Sequence, residues 1–596
     1  MPTTCEEKDT GFVIPLVNFA DHEGFPLPPS TPERRSMHAS LARLSLRTAA
    51  LLASLLAPAL ARAAEPQVLA VAAIDGYADL KKQLAWLGSQ IGQPTLAIAA
   101  DSMLMMATQG RGVNGLDTQR PMGVVVTTDG TQPIVHGYIP VKSLDKLLES
   151  LQASIGAAEK DGDVRRVTMP SGATVEFVER AAPSGTWAVA GLPGGPAGMA
   201  DPLPVLEPVA KQLSIGLRVF PSLMPDALRK QLEMLLDQAA RQAAAQGQPI
   251  DPGTAQQFLA GLADTESLSL GLAIDATANQ IFVESDVINV AGSPAAKRIA
   301  AAGKAALTVG LPPSADGRRA AIQGHVAQVI PADVQPQIVQ SLDASLADAD
   351  QADEPLAKTV GAIARSLLTA MLGTGSMEAA VAVDTSVATA AAPLPAVTAG
   401  VRVKDGKALE AQLKKALGDG GSLPGAKVTF DAGTAGGATL HTVRLAIDDD
   451  EVAKRFGDAV ELTLAVAPQY AFVLVGGNVK ARAAAAVAAS GKPVADAKPI
   501  ADLRAGMEEL LTYAKSVDVD DEEEAERGAA AARAAGKADA TLEVRPVERG
   551  TATRLVIDAG VLKAIAAMRA PPQAAAPGLP AGVPLPQGFP IPVPVR

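Results

Sequence analysis

The feature that most constrains this chain is an internal repeat with fixed spacing. Val141-Lys142 is followed by Leu147, Leu151 and Ile155, then Gly156. Val403-Lys404 is followed by Leu409, Leu413 and Leu417, then Gly418. Counted from the lysine, both copies step five, four and four residues. Further on, Arg166–Met169 matches Lys427–Phe430, and Gly172–Val175 matches Gly437–Leu440 with Val178 on Val443. Trp187–Gly191 then resembles Phe472–Gly476. Alanine is roughly a fifth of the chain, and such sequence yields chance matches. Five matches in one order argue for a duplication, so one unit must fold twice.

The unit has a physical reading. Apolar residues at i, i+4 and i+8 over Ser143–Ile155 make one helix face, and Gly156 can close the helix in a left-handed cap. The segments after it alternate apolar and polar residues, as half-buried antiparallel strands do. Val68–Ile74 is a short buried strand. A helix with Leu80, Leu84, Leu87 and Ile91 on one face follows, then a Met-rich helix over Leu96–Thr108. Leu213–Phe220 is a strand and Pro225–Gln246 a long helix. Ser267–Ile274 alternates strictly, with Gln280–Val290 as its hairpin partner. In the second half a helix near Ile500–Tyr513 leads to strands at Thr541–Val547 and Thr553–Ile557, closed by a helix at Val561–Met568. The expected fold is α+β: two homologous halves, 64–310 and 311–570, each an antiparallel sheet with amphipathic helices packed on one face. Asp518–Glu526 holds seven carboxylates and reads as a solvated loop or helix end. Residues 571–596 hold nine prolines and read as an unfolded, polyproline-biased tail.

The N-terminal region carries an address. Arg43 and Arg47 precede an apolar run, Ala49–Leu60, which ends at Ala61-Arg62-Ala63. That order is expected of a secretion signal cleaved between Ala63 and Ala64. Residues 1–36 then read as an over-called gene start. The mature chain would be exported, periplasmic or extracellular. The run is too short to be a comfortable span, and no later stretch is apolar enough to be one. Cleavage removes Cys5, the one cysteine, and leaves three histidines: His136, His325 and His441. Disulfides, thiol nucleophiles and cysteine-ligated metals are thereby excluded. With 52 basic residues against 64 acidic ones and a net charge of −12, a nucleic-acid partner is disfavoured.

Residues 74–96 (IDGYADLKKQLAWLGSQIGQPTL), 108–130 (TQGRGVNGLDTQRPMGVVVTTDG) and 268–275 (LSLGLAID) resemble an uncharacterised family of secreted proteins from planctomycete-type bacteria. The resemblance covers most of the mature chain and is weaker in its second half. It implies no established activity, so no functional residue carries over.

Several motifs imitate functional sites. Gly110–Gly115 satisfies G-x-G-x-x-G, but it follows a helix and precedes a strand, the reverse of a dinucleotide fold. Ser143 to Lys146 fits S-x-x-K without its companion motifs. Its repeat counterpart begins at Asp405, so a helix cap explains it better. His136 and His441 fall on expected strands at non-equivalent positions. The remaining catalytic candidates are carboxylates: Asp117, Asp275, Asp286 and the run Asp448 to Glu451. Asp117 and Asp275 sit at turns, and the run lacks the spacing of a calcium loop. Asp117, in the most family-like segment, is the one weak functional candidate. The expectation is a non-enzymatic binding or structural protein of the cell envelope, with no catalytic residue, metal or cofactor. Its partner would be an envelope protein or an apolar ligand. The alternative is a carrier of apolar ligands such as lipid in a cavity between sheet and helices. The third reading is a carboxylate-based hydrolase.

Overall fold

Short alternating runs can satisfy their backbone groups only by pairing with one another. The computed structural model describes residues 67–570 apart from short interruptions, the longest being 246–258, 344–354, 418–425 and 494–499. The leader with Ala63 and Ala64, the run 448–451 and the segment 571–596 lie outside the described residues.

The first part of the chain runs β1 (Gln67–Ile74), α1 (Tyr77–Gln90), α2 (Leu96–Ala107), β2 (Met122–Thr128) and β3 (Pro133–Pro140). It continues with α3 (Leu144–Ile155), β4 (Ala158–Asp161), β5 (Val164–Thr168), β6 (Thr174–Ala182), β7 (Gly185–Gly191) and α4 (Leu203–Gln212). Then come β8 (Ile215–Val219), α5 (Asp226–Ala245), the hairpin β9 (Thr265–Asp275) and β10 (Gln280–Asn289), and α6 (Pro294–Ala302). The second part runs β11 (Ile322–Val329), α7 (Pro355–Leu372), β12 (Ser376–Asp384), β13 (Ala396–Arg402) and α8 (Gly406–Leu417). After it come β14 (Ala426–Ala435), β15 (Ala438–Ala446), β16 (Ala459–Val466), β17 (Tyr470–Val475) and α9 (Val479–Ala489). The last elements are β18 (Ala501–Gly506), α10 (Met507–Val517), α11 (Glu522–Ala535), β19 (Asp539–Val547), β20 (Gly550–Asp558) and α12 (Ala559–Arg569).

These twenty strands form one antiparallel sheet. The first ten pair as β1–β2, β1–β8, β2–β3, β3–β7, β4–β5, β5–β6, β6–β7, β8–β9 and β9–β10. The last ten pair in the same way, with ten added to every number. Helices enter at matching places, after β1 and β11, β3 and β13, β7 and β17, β8 and β18, and β10 and β20. The two sets of strands meet where β10 pairs with β20. At the two ends of this seam the Asn289 amide donates to the Arg549 carbonyl at 2.9 Å and the Ala559 amide to the Asn279 carbonyl at 2.8 Å. Asn279 and Arg549 end the two adjacent hairpin turns, and both have positive φ, 54° and 65°.

The architecture is α+β, with one continuous sheet in place of two. Nor are helices confined to one face. Ala188 packs with Leu144 and Leu147 of α3, while its neighbours Trp187 and Val189 pack with Leu206 and Val209 of α4. Successive strand residues point to opposite faces, so helices cover both sides of the outer strands. The same holds for Leu464 beneath α8 and Ala465 beneath α9.

The repeat matches divide under the observed pairing. Val141 and Val403 hold the same place: each donates across its ladder just past the strand end, to Thr186 and Gln469 at 3.0 and 2.9 Å. By the same ladder Trp187 faces Pro140 and Tyr470 faces Arg402, so the Trp187–Phe472 match slips by two residues. Arg166 lies on β5, one strand in from the edge strand β4, whereas Lys427 lies on the edge strand β14. The short, fully exposed β4 (AEKD) has no apolar pattern to align. Residues 501–506, expected in a helix, form β18 because β11 and β19 flank them. Glu522–Glu524 occupy the first turn of α11, where the helix dipole favours acids, and Ala525, Ala529 and Ala532 behind them are buried.

Candidate functional site

The residues singled out by motif have structural work. Asp117 Oδ2 accepts from Arg120 Nε at 2.8 Å and Oδ1 from the Gln119 amide at 3.2 Å. Arg120 in turn donates to the Ser184 and Thr186 carbonyls at 2.9 and 2.8 Å, with its guanidinium 4.7 Å over Trp187. Burial pushes the Asp117 carboxyl up. The Arg120 guanidinium, the Gln119 amide and Lys142 outweigh that and hold it below its usual range. Ser143 caps α3, with Lys146 N 3.5 Å from its hydroxyl; Asp405 caps α8 through the Lys407 and Ala408 amides. Asp275 accepts from the Thr277 and Ala278 amides in its turn. In the glycine motif, Gly115 has φ 91°, and a Cβ there would meet the Ser143 carbonyl at 2.4 Å. That loop packs on the start of α3 and does not open toward a phosphate.

One titratable cluster had no sequence signal, because its members come from three elements. Glu410 of α8, Asp431 of β14 and His441 of β15 bring ligand-type atoms within 4.8 Å of one another. His441 is 1% exposed. Its Nδ1 accepts the Asp431 amide at 3.1 Å, so in the neutral ring Nε2 carries the proton. Nε2 lies 3.8 Å from Glu410 Oε1. Burial holds the imidazole below its ordinary range, against the pull of Glu410 and Asp431 and with the push of Lys414. The Lys414 ammonium sits 2.8 Å from Glu410 and 3.0 Å from Asp431. A metal would need the lone pair that Nε2 lacks and would have to displace Lys414. The residues fit an ion-pair node and not a metal centre. The other histidines sit on β3 and β11. His136 Nε2 accepts the Gly198 amide at 3.3 Å, and His325 Nδ1 is 2.5 Å from Asp502 Oδ1.

The central strands sort their side chains in an unusual way. On one face Glu284, Arg554, Glu543, Asp502 and His325 stand directly opposite one another across β10, β20, β19, β18 and β11. Arg554 lies 3.7 Å over the Phe282 ring. Gln212 of α4 donates to both Glu284 and Asp286, at 2.7 and 3.1 Å. The Glu284 and Asp286 carboxylates are thus tied to a shared amide, and Glu284 faces Arg554 at 3.6 Å.

The opposite face is aliphatic. Met122, Ile74, Ile215, Leu272, Val283, Leu555, Leu542 and Leu503 form an unbroken row across eight strands, each opposite the next. Leu217 and Leu270 pair beside it. Ile74, Ile215, Leu217, Leu270, Val283, Leu503, Leu542 and Leu555 are 36–50% exposed. From β8 to β18 the residues alternating onto this face are aliphatic, Ala, Pro, Ser or Thr, save Glu266 and Asn289 at the bulged end of the β9–β10 hairpin. Met122 packs into the α3 core, and Val401 of β13 into the α8 core. The face that α3 and α8 cover over the outer strands therefore lies open between them. Single exposed aliphatics are ordinary, whereas a contiguous exposed apolar row is not.

An open hollow of about 380 Å³ beside α5, lined by Pro221, Met224, Leu232 and Leu262, lies apart from this row. Among the described residues no helix is long and apolar enough to cross a membrane. Comparison with family models, curated proteins and solved structures finds no match.

Proposed function

We propose that the chain is an exported, non-enzymatic binding protein of the bacterial cell envelope. In this reading two homologous halves share one sheet, and the aliphatic face of the central strands is the binding surface. The observation that carries it is the exposed row from Ile74 to Leu503. Apolar burial contributes ~25 cal/mol per Å², so leaving such a row bare is costly unless something covers it. The repeated pairing pattern and the reciprocal bonds at the β10–β20 seam support descent of the halves from one duplicated unit. Export rests on the leader before Ala64. Carriage of an apolar ligand is the second reading, favoured by the same face: it is aliphatic and flanked by helices. Native mass spectrometry of protein recovered from its own envelope tests both. The expected spectrum shows a bound lipid or partner that a Leu542→Lys/Leu555→Lys protein lacks. Identical spectra from the two proteins would remove the surface from the account.

A further inference from the structure

We propose that the hollow beside α5 is a second binding site, for a short neutral amphiphile: an alkyl chain of about ten carbons ending in a hydroxyl or amide. The inference goes beyond the reading of the central face and does not depend on it. The walls of the hollow are two segments fixed in place by their own hydrogen bonds. On one side the chain after β8 turns at Pro221 and enters α5, and Arg229 donates to the Met224 and Ser222 carbonyls at 3.1 and 3.3 Å, which ties the helix to that turn. On the other, residues 261–264 run into β9. There the Val290 amide donates to the Asp264 carbonyl and the Thr265 hydroxyl to the Gly261 carbonyl, both at 2.8 Å. Pro221, Met224, Leu232, Leu259 and Leu262 line the space between. The three leucines are half-buried and join none of the apolar cores among the described residues.

The second half of the chain closes the matching place with its own side chains. There α10 and α11 enter between β18 and β19, as α5 does between β8 and β9. Ala525, Ala529 and Ala532 of α11 are buried, and a Cβ on Gly528 would meet Met568 of α12 at 2.7 Å and Leu511 of α10 at 2.8 Å. α6 enters after β10 as α12 does after β20, but none of its residues lines the hollow. The hollow measures about 380 Å³. At roughly 30 Å³ per water it takes about a dozen heavy atoms, which fits the proposed chain and its head. Two groups at the rim select that head. Arg229 is held by backbone carbonyls, and Glu233, one turn on, is exposed. Among the described residues neither has an ionic partner within 4.0 Å. A carboxylate head is drawn to Arg229 and repelled by Glu233, and an ammonium head the reverse. A hydroxyl or amide accepts from one and donates to the other, with no charge to desolvate.

Isothermal titration of the full chain at about pH 7 with decanol, decanoate and decylammonium tests the inference, since the last two are then charged. Decanol should bind saturably at a single site, severalfold tighter than either charged probe. Leu262→Trp, which fills the hollow, should abolish that binding, and Leu542→Lys/Leu555→Lys should leave it unchanged. Glu233→Lys changes an exposed side chain, so the fold should tolerate it, and it should make decanoate the tightest of the three. Absence of saturable decanol binding would overturn the proposal, as would a charged probe that binds the native chain as tightly as decanol. An unaltered order of the three probes in Glu233→Lys would overturn it too. Decanol binding kept in Leu262→Trp and lost in Leu542→Lys/Leu555→Lys would assign the ligand to the central face and remove the hollow. Decanol binding that Leu262→Trp abolishes, beside identical native mass spectra of the native and Leu542→Lys/Leu555→Lys proteins, would keep the hollow and remove the central surface.

Discussion

At the scale of single residues, Asp117 and His441 look like chemistry and act as structure. Asp117 positions Arg120, and Arg120 holds two carbonyls beside β7 while stacking on Trp187. Asp117→Asn should lower stability by about 1–2 kcal/mol, the loss of one charge-assisted bond, with no effect on ligand binding. Thermal unfolding checks this; an unchanged melting temperature would contradict it. His441 is held neutral in the fold, below its ordinary value near 6.5. Below that pH the unfolded ring takes a proton that the folded ring refuses. Its contribution is therefore complete above about pH 6.5 and is lost as the pH falls from there toward the folded value. Melting temperatures between about pH 7.5 and 5.5 should fall less steeply in His441→Gln than in the native chain. An equally steep fall would show that His441 titrates as it does when unfolded.

At the scale of elements, the seam is the sensitive place. A Cβ on Gly550 would meet the Val287 carbonyl of the paired strand at 1.9 Å, so β20 can approach β10 only with glycine there. Gly550→Val should cost roughly 1–3 kcal/mol through overpacking, whereas Thr551→Val beside it should be nearly neutral. Equal melting temperatures for the two variants would contradict the seam. Much of this level was legible in the sequence. The leucine spacing placed α3 and α8, and the alternation of 267–274 placed β9. What escaped was whatever depends on partners. β18 is short and runs straight into α10, so helical periodicity extended back over it until β11 and β19 decided. The repeat aligned at α3 and α8; past β4, which has no apolar pattern, its matches fall one strand out, on β5 against β14 and on β6 against β15, and at β7 they slip by two residues. The Glu410–Asp431–His441 node could not be read, because its residues meet only once α8, β14 and β15 are packed.

At the scale of the whole molecule, twenty strands in one sheet give helices enough to cover the outer strands on both faces and leave the centre of one face bare. Alternation in β9 shows that one side of the strand is apolar, but a covered and an uncovered leucine row look alike in sequence. The two-fold repetition of the pairing turns a modest apolar stripe in each half into one continuous row across the β10–β20 seam. That row is the proposed binding surface. Its most direct measurement is equilibrium titration of the full chain, and of its Leu542→Lys/Leu555→Lys variant, with an anilinonaphthalene dye, beside their melting curves. Saturable binding that the two lysines abolish at an unchanged melting temperature is expected. Equal binding by both proteins would contradict it.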